Sequence, residues 1–209
     1  YKIDSKIENN NKISQNLKEI AQTLFKSYFL DFDPYDEFKQ TELGRVPEAF
    51  EIAEIGELGD IITGNTPSTK NEEYYGGCIP FVKASDLGSR LMISETDKKL
   101  TKEGASEISK KQLRKGCVMV SCIGNGLGKV GVTSSALYTN QQINSIDPHK
   151  NFDTWYLLFK MQSIQKKLQN YAGGSAQPIL SKSKFSNIRI AVPPEKERKK
   201  FNERISECM

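Results

Sequence analysis

The sequence is poor in the residues that usually carry chemistry. It has one histidine, His149, set in a Pro148-His149-Lys150 turn. Its four cysteines, Cys78, Cys117, Cys122 and Cys208, form no Cys-x-x-Cys pair. Structural zinc sites of the common spacings are thereby excluded, and no metal ligand is assigned. A nucleophile–histidine–carboxylate set has no suitable histidine. The Asn-Pro-Pro-Tyr motif of amino-methylases is missing, as are the spaced Asp and Glu-x-Lys of nucleases, so no residue is assigned a catalytic role. The stretch Ser121–Lys129 is glycine-rich. It lacks the Gly-Lys-Ser/Thr ending of a P-loop and does not fit Gly-x-Gly-x-x-Gly, which excludes a nucleotide cradle of either kind. No apolar run approaches the ~18 residues needed to cross a bilayer. No signal peptide is expected, because Tyr1-Lys2-Ile3-Asp4 leads into a polar, helix-like stretch. No internal repeat is evident.

What is present is length, segregated charge and alternating structural signals. The 209 residues, 37% hydrophobic and 27% charged, suffice for one fairly large domain, or one domain plus an extended element, without metal or disulfide staples. Thiols in apolar runs such as Gly116-Cys117-Val118-Met119-Val120 read as reduced core residues, and the expected compartment is the cytoplasm. The start at Tyr1 and a helix still running at Met209 lead us to expect a trimmed piece or fragment. The net charge of +4 is mild, but Asp31–Glu57 holds nine acidic and two basic residues (Lys39, Arg45). Lys98–Lys115 holds seven basic and two acidic residues, and so does Lys182–Lys200. Basic patches suit a polyanion, because each neutralised phosphate releases counterions. The plain alternative is that these lysines solvate surface helices.

The spacing predicts one amphipathic helix from residue 3 to about 30, with Ile3, Ile7, Ile13, Leu17, Ile20 and Leu24 recurring at helical steps. In heptad terms Ile3, Asn10, Leu17 and Leu24 share one seam position, and Ile13 and Ile20 the other. A seam asparagine weakens packing but fixes register, and Asn9-Asn10-Asn11 is poor helix material, so packing must hold the helix. It should stop before Asp33-Pro34. An acidic connector, Pro34–Pro47, leads to a lobe starting near Phe50. Strands are expected at 60–63, 79–82, 117–121, 129–133, 142–146 and 188–192. A helix-like stretch covers Leu100–Leu113, and a clear helix Asp153–Tyr171, with Asp153 as its cap and Trp155 and Phe159 in the core. Pro193-Pro194 ends the last strand, and a further helix starts at Glu195 with Phe201, Ile205 and Met209 on one face. The expected fold class is α+β. A small, mixed, β-rich recognition domain (33–193) lies between a long spacer helix (1–32) and the start of a closing helix (194–209), the helices packing as a coiled coil.

Several segments now line up in order. Gly64-Asn65-Thr66-Pro67-Ser68 is followed by Gly76-Gly77-Cys78-Ile79-Pro80-Phe81-Val82-Lys83-Ala84-Ser85-Asp86-Leu87. Then come Asn140-Gln141-Gln142, Gly173-Gly174-Ser175-Ala176-Gln177 and Ile190-Ala191-Val192-Pro193-Pro194-Glu195. This set resembles the specificity subunits of type I restriction–modification enzymes over nearly the whole chain. Ser14–Phe29 looks like that family's central spacer. Two features depart from the pattern. Glu197-Arg198 stands where a Glu-Gln pair usually opens the closing helix, with Phe201 for an aliphatic residue. Only one recognition domain is present, of the second-half type, where a full subunit carries two.

The resemblance implies that the lobe reads one half of a two-part site in double-stranded DNA. The helices would act as a ruler and dock methylase subunits, and through them the nuclease subunit. It implies no cofactor here, S-adenosylmethionine being bound by the methylase partner. The candidates for DNA contact are Asn65, Thr66, Ser68 and Lys70; Lys83 and Ser85; Lys110 and Lys111; Asn125 and Lys129; Gln141; Ser175 and Gln177; Lys182 and Lys184. Amide side chains can bridge the N6/N7 edge of adenine, and lysine can reach guanine or phosphate. For each group a plain structural role competes. Gly64–Lys70 and Ser121–Lys129 make good turns, Asn140–Gln142 can brace a strand end, and Gly173–Gln177 can be a solvated loop. Spacer packing is assigned to Ile3, Asn10, Ile13, Leu17, Ile20 and Leu24. If the chain stands alone, its helices could pair with those of a second copy and give a two-fold dimer. Two competing classes remain: an assembly protein whose lobe does not read DNA, and an enzyme in its own right, for which the sequence offers no acid/base pair.

Overall fold

The computed structural model describes residues 2–150, 152–173 and 178–206. Along the chain, helix α1 (Lys2–Phe29) is followed by β1 (Phe38–Thr41), β2 (Gly44–Pro47), β3 (Glu51–Glu54), α2 (Ile55–Leu58), β4 (Gly59–Thr63), β5 (Tyr75–Val82), β6 (Met92–Ile93), β7 (Lys99–Leu100) and α3 (Lys102–Glu107). Then come β8 (Val118–Ser121), β9 (Val130–Thr133), β10 (Tyr138–Thr139), β11 (Ile143–Pro148), α4 (Thr154–Ser163), α5 (Gln165–Ala172), α6 (Lys182–Ser186), β12 (Arg189–Val192) and α7 (Glu195–Ser206). The chain divides into two units: Tyr1–Ile52 with Ala191–Met209, and Ala53–Ile190. The chain crosses between them within the paired strands β3 and β12.

In the first unit α1 runs unbroken through Asn9-Asn10-Asn11, supported by the i,i+4 contacts of Lys12 with Glu8 and Gln15 with Glu19. It closes where Leu30 N and Asp31 N both donate to Lys26 O and Phe32 takes a positive φ of 62°. The buried stripe of α1 is Ala21, Phe25 and Phe29. Phe25 and Phe29 meet Phe201 of α7 edge-on, with ring centroids 5.6 and 5.4 Å apart. Ile3, Ile7, Ile13 and Ile20 are exposed, as is Asn10, while Leu17 and Leu24 are half-buried. The acidic connector is not irregular. Phe38–Thr41 and Gly44–Pro47 pair as an antiparallel hairpin, with Gly44 at φ 95° supplying the turn. Arg45 lies 4.0 Å over the Phe38 ring, and Phe32 and Tyr35 pack edge-on against Phe50. Dense surface charge hid the period-two alternation of this segment.

The second unit is built on a five-stranded sheet, β4-β11-β8-β9-β6, and a three-stranded one, β10-β5-β7. Strand β5 separates two core clusters, because its alternate residues face opposite ways. Val82 joins Leu87, Ile93, Leu113, Cys117, Met119, Leu137 and Ile143. Phe81 joins Leu100, Ala105, Ile108 and Tyr138. Burial pushes the Cys117 thiol up to about 12 and the Cys122 thiol up to about 11, whereas Cys78 is exposed and Cys208 lies outside the described residues.

Two helical expectations are corrected. Asp153–Tyr171 is two helices, α4 and α5, broken at Ile164 (φ −97°, ψ 12°). The break lets α5 turn so that Gln165 and Gln169 both donate to Leu127 O, each at 3.2 Å. Asp153 occupies the N-cap position without a capping bond from its carboxylate; Phe159 is buried and Trp155 half-buried. Leu100–Leu113 is not one helix either. Leu100 pairs with β5, and α3 gives way to a 3-10 turn at Ser109–Lys111.

Lys160 of α4 is 7% exposed. Burial, and secondarily the charge of Lys167, pushes its ammonium down to about 8. A lowered folded-state value means that the unfolded chain holds this proton more tightly between pH 8 and 10.5, so the penalty is present below pH 8 and is relieved as pH rises through that window. Lys160→Met should therefore stabilise the protein at pH 7 by about 1–2 kcal/mol. Urea unfolding of both proteins at pH 7 and pH 10 checks this: the gap between them should close at the higher pH.

Candidate nucleic-acid interface

Strand register decides which loops meet. Strands β5 and β10 are parallel, with Phe81 opposite Tyr138 and Val82 opposite Thr139. Both therefore release their next residues, Lys83-Ala84-Ser85 and Asn140-Gln141-Gln142, at the same end. Strand β11 starts there and is antiparallel to β4 and β8, with Asn144 opposite Thr63 and Ile143 opposite Ser121. The loops that follow β4 and β8 thus leave at that end too. Backbone bonds tie them together: Gly64 N to Ile143 O (3.1 Å), Asn65 N to Thr139 O (3.0 Å), Asn140 N to Val82 O (3.0 Å) and Cys122 N to Gln142 O (2.8 Å). A fifth segment is clipped on by Gly124 N to Pro178 O (3.0 Å) and Leu180 N to Cys122 O (2.9 Å), and leads into α6.

Most of the residues expected from the sequence collect on this loop end. Asn65, Ser68 and Lys70 are exposed and Thr66 is half-buried. The Thr66 hydroxyl donates to Gln141 Oε1 at 2.6 Å, and Asn65 Oδ1 accepts from Thr66 N at 2.9 Å. The amide nitrogens of Asn65 and Gln141 have no protein partner among the described residues, and each carbonyl oxygen keeps a second lone pair. Both side chains thus retain a donor and an acceptor for a base edge. Asn140 and Gln142 instead brace the turn, through Asn140 Nδ2 to Gln142 Oε1 and Gln142 N to Asn140 Oδ1. Lys83 is half-buried and Ser85 exposed, in a turn held by Asp86 Oδ2 accepting from Lys83 N. Lys129 is exposed and runs beside Gly88, where an added Cβ would lie 3.1 Å from Lys129 Cδ. Asn125 sits in the Gly124–Gly126 turn. Lys182 and Lys184 are exposed on α6, a helix not anticipated from the sequence, whose first turn is capped by Ser181 Oγ accepting from Lys184 N.

One pair of expected residues does not join the cluster. Lys110 and Lys111 lie in the turn leading to Leu113, which bridges Leu137 at the start of β10; the clustered loops leave from the other end of that strand. Ser175 and Gln177 lie outside the described residues. Within 64–70, 83–90, 121–129, 139–142 and 178–187 the basic residues are Lys70, Lys83, Arg90, Lys129, Lys182 and Lys184, against the single acid Asp86. That end therefore carries a positive field. Among the described residues no group of three or more histidines, cysteines or carboxylates could hold a metal, and no helix is long and apolar enough to cross a membrane.

Sequence reasoning missed the residue that joins these loops. Asn144, 2% exposed, accepts from the Thr63 hydroxyl at 2.6 Å and donates to Leu180 O at 3.3 Å and Cys122 Sγ at 3.2 Å. One buried amide thus ties three of the five segments together. Its only sequence signal is a polar residue inside a β run, which alternation reads as an outward side chain.

The fold and loop end define an α+β domain that presents polar, basic loops and holds no clustered reactive groups among its described residues. Residues 47–209 match the family model described as the type I restriction modification DNA specificity domain, and the chain belongs to that family. It is 33% identical to the type I restriction enzyme HindI specificity subunit of Haemophilus influenzae, over 91% of this chain and 55% of that protein. It is 32% identical to the MjaIX specificity subunit of Methanocaldococcus jannaschii, over 79% of this chain and 39% of that protein. The chain thus spans about half, or less, of these relatives. Among solved structures the HsdS subunit from Thermoanaerobacter tengcongensis superposes with a TM-score of 0.62 at 18% identity, over 99% of this chain and 46% of that one. The S subunit from M. genitalium superposes with a TM-score of 0.59 at 14% identity, over 99% and 49%. These structural likenesses speak for the fold.

Proposed function

We propose that this chain is a DNA-recognition module of a type I restriction–modification complex, reading one half of a bipartite site through the loop end of the second unit. The observation that carries this reading is the convergence of Asn65, Gln141, Lys83, Lys129, Lys182 and Lys184 on one end of the sheets, fixed by strand register. Amides with spare donors and acceptors suit base edges, and the surrounding lysines suit phosphates. Family membership supports the same reading. The exposed stripe Ile3, Ile7, Ile13 and Ile20 on α1 supports helix-mediated assembly with methylase subunits, and through them with the nuclease subunit, or with a second copy of the chain in a two-fold dimer. Methyl transfer and its S-adenosylmethionine belong to the methylase partner in this scheme, and the complex works in the cytoplasm.

Salt dependence of binding tests the assignment of roles. Each lysine that neutralises a phosphate contributes about 0.9 to the slope of log affinity against log salt. The Lys182→Ala, Lys184→Ala double variant should lower that slope by about 1–2, whereas Lys110→Ala, Lys111→Ala should leave it unchanged. An unchanged slope in the first variant, or a lowered slope in the second, contradicts the proposed placement.

A further inference from the structure

In the second unit only Tyr171 and Ile179, among the described residues, are large hydrophobic side chains left exposed. Tyr171 lies in the last turn of α5, and Ile179 in the segment that joins α5 to α6. Ile179 is 54% exposed, yet its backbone is held on both sides. Pro178 O accepts from Gly124 N, and Leu180 N donates to Cys122 O, which makes Ile179 the antiparallel bridge partner of Ile123. Leu180 is 1% exposed and turned into the core, so alternation turns Ile179 the other way. Ile123, directly opposite in the bridge, is half-buried and shares that face. The result is a two-isoleucine patch at the loop end, beside the Gly124–Gly126 turn and just ahead of Lys182 and Lys184.

We infer that Ile179 is a specificity-determining residue that packs on the C5-methyl group of a thymine in the recognised half-site. The inference rests on the DNA-reading role proposed above. An apolar side chain held out into solvent on a rigid bridge gains nothing from water. In the major groove the thymine methyl is the base-edge group that such a side chain recognises. The placement suits groove contact better than insertion between base pairs, because Ile179 sits on a clipped bridge and not at a projecting tip. The neighbouring lysines supply the positive field that brings a phosphate backbone alongside.

The test uses the full chain assembled with methylase subunits. Duplexes selected from a random library by the wild-type assembly define the half-site. Each thymine in it is then replaced by deoxyuridine, which removes only the methyl group, and affinities are measured for wild type and Ile179→Ala. At one thymine the replacement should weaken wild-type binding about fourfold, as expected for burying one methyl-sized group, and leave the variant unaffected, the coupling signature of a direct contact. Ile179→Ala should melt like wild type, since the side chain is half in water. A half-site without thymine, or deoxyuridine effects identical in the two proteins, overturns the assignment of Ile179. If the wild-type assembly enriches no sequence at all, the DNA-reading role itself fails, and this inference with it.

Discussion

Asn144→Leu should destabilise the protein by about 2–4 kcal/mol and leave little measurable DNA affinity at 25 °C. Leucine keeps the branched four-atom side-chain skeleton and is the bulkier residue, so the loss is not a cavity effect. It removes three hydrogen bonds at a site 2% exposed, those with the Thr63 hydroxyl, Leu180 O and Cys122 Sγ. Removing one partner strands the others: a buried acceptor or donor left unpaired costs ~1–3 kcal/mol each. Thr63 is half-buried and recovers part of its loss from water, which holds the total near the lower end of the sum. The functional effect exceeds the stability effect, because the same amide sets the spacing of the loops after β4 and β8 and the Pro178–Leu180 segment. Urea unfolding measures the first effect and duplex affinity the second. A variant with unchanged affinity would show that these loops need no common anchor.

Gly64→Ala should cost about 1–3 kcal/mol and weaken DNA binding at least tenfold while keeping the secondary structure. A Cβ at this position would lie 2.3 Å from Asn140 O, 2.3 Å from Thr139 O and 2.3 Å from Thr139 Oγ1. Two of these atoms are backbone and the third belongs to the fully buried Thr139, so the 64–70 loop must lift. Lifting strains the bonds from Gly64 N to Ile143 O and from Asn65 N to Thr139 O, and it draws the Thr66 hydroxyl off Gln141. Circular dichroism, thermal melting and duplex affinity together check the outcome. A variant that melts lower but binds normally would separate this glycine's packing role from recognition.

The parts of the fold that were legible from sequence are those with a clean period. Ile3 to Leu24 announced α1, and the apolar runs at 61–62, 79–82 and 118–120 announced β4, β5 and β8. The hairpin β1–β2 was not legible because Asp36, Glu37, Glu42 and Glu48 dilute its alternation. Helix α6 was hidden because Ser181–Lys184 has the composition of a solvated loop, its capping bond being visible only in the structure. The break at Ile164 follows from where Gln165 and Gln169 must reach, a tertiary demand that no local pattern carries.

The candidate site divides in the same way. Asn65, Lys83, Gln141 and Lys182 could be chosen by residue type and loop context. That they share one end while Lys110 and Lys111 do not depends on the parallel pairing of β5 with β10, a long-range register invisible in the sequence. Asn144 and Ile179 were missed for opposite reasons. One is a polar side chain buried where alternation expects a surface residue, and the other an apolar side chain exposed where composition expects core.

Site-specific photo-crosslinking tests most directly that the loop end, and not the opposite end of the same strands, faces DNA. A photoreactive residue is placed at Gln141 in one protein and at Lys110 in another, each assembled with methylase subunits on a duplex containing the recognised site. The account predicts crosslinks to bases from position 141 and none from position 110. Efficient crosslinking from 110 with silence at 141 would contradict it.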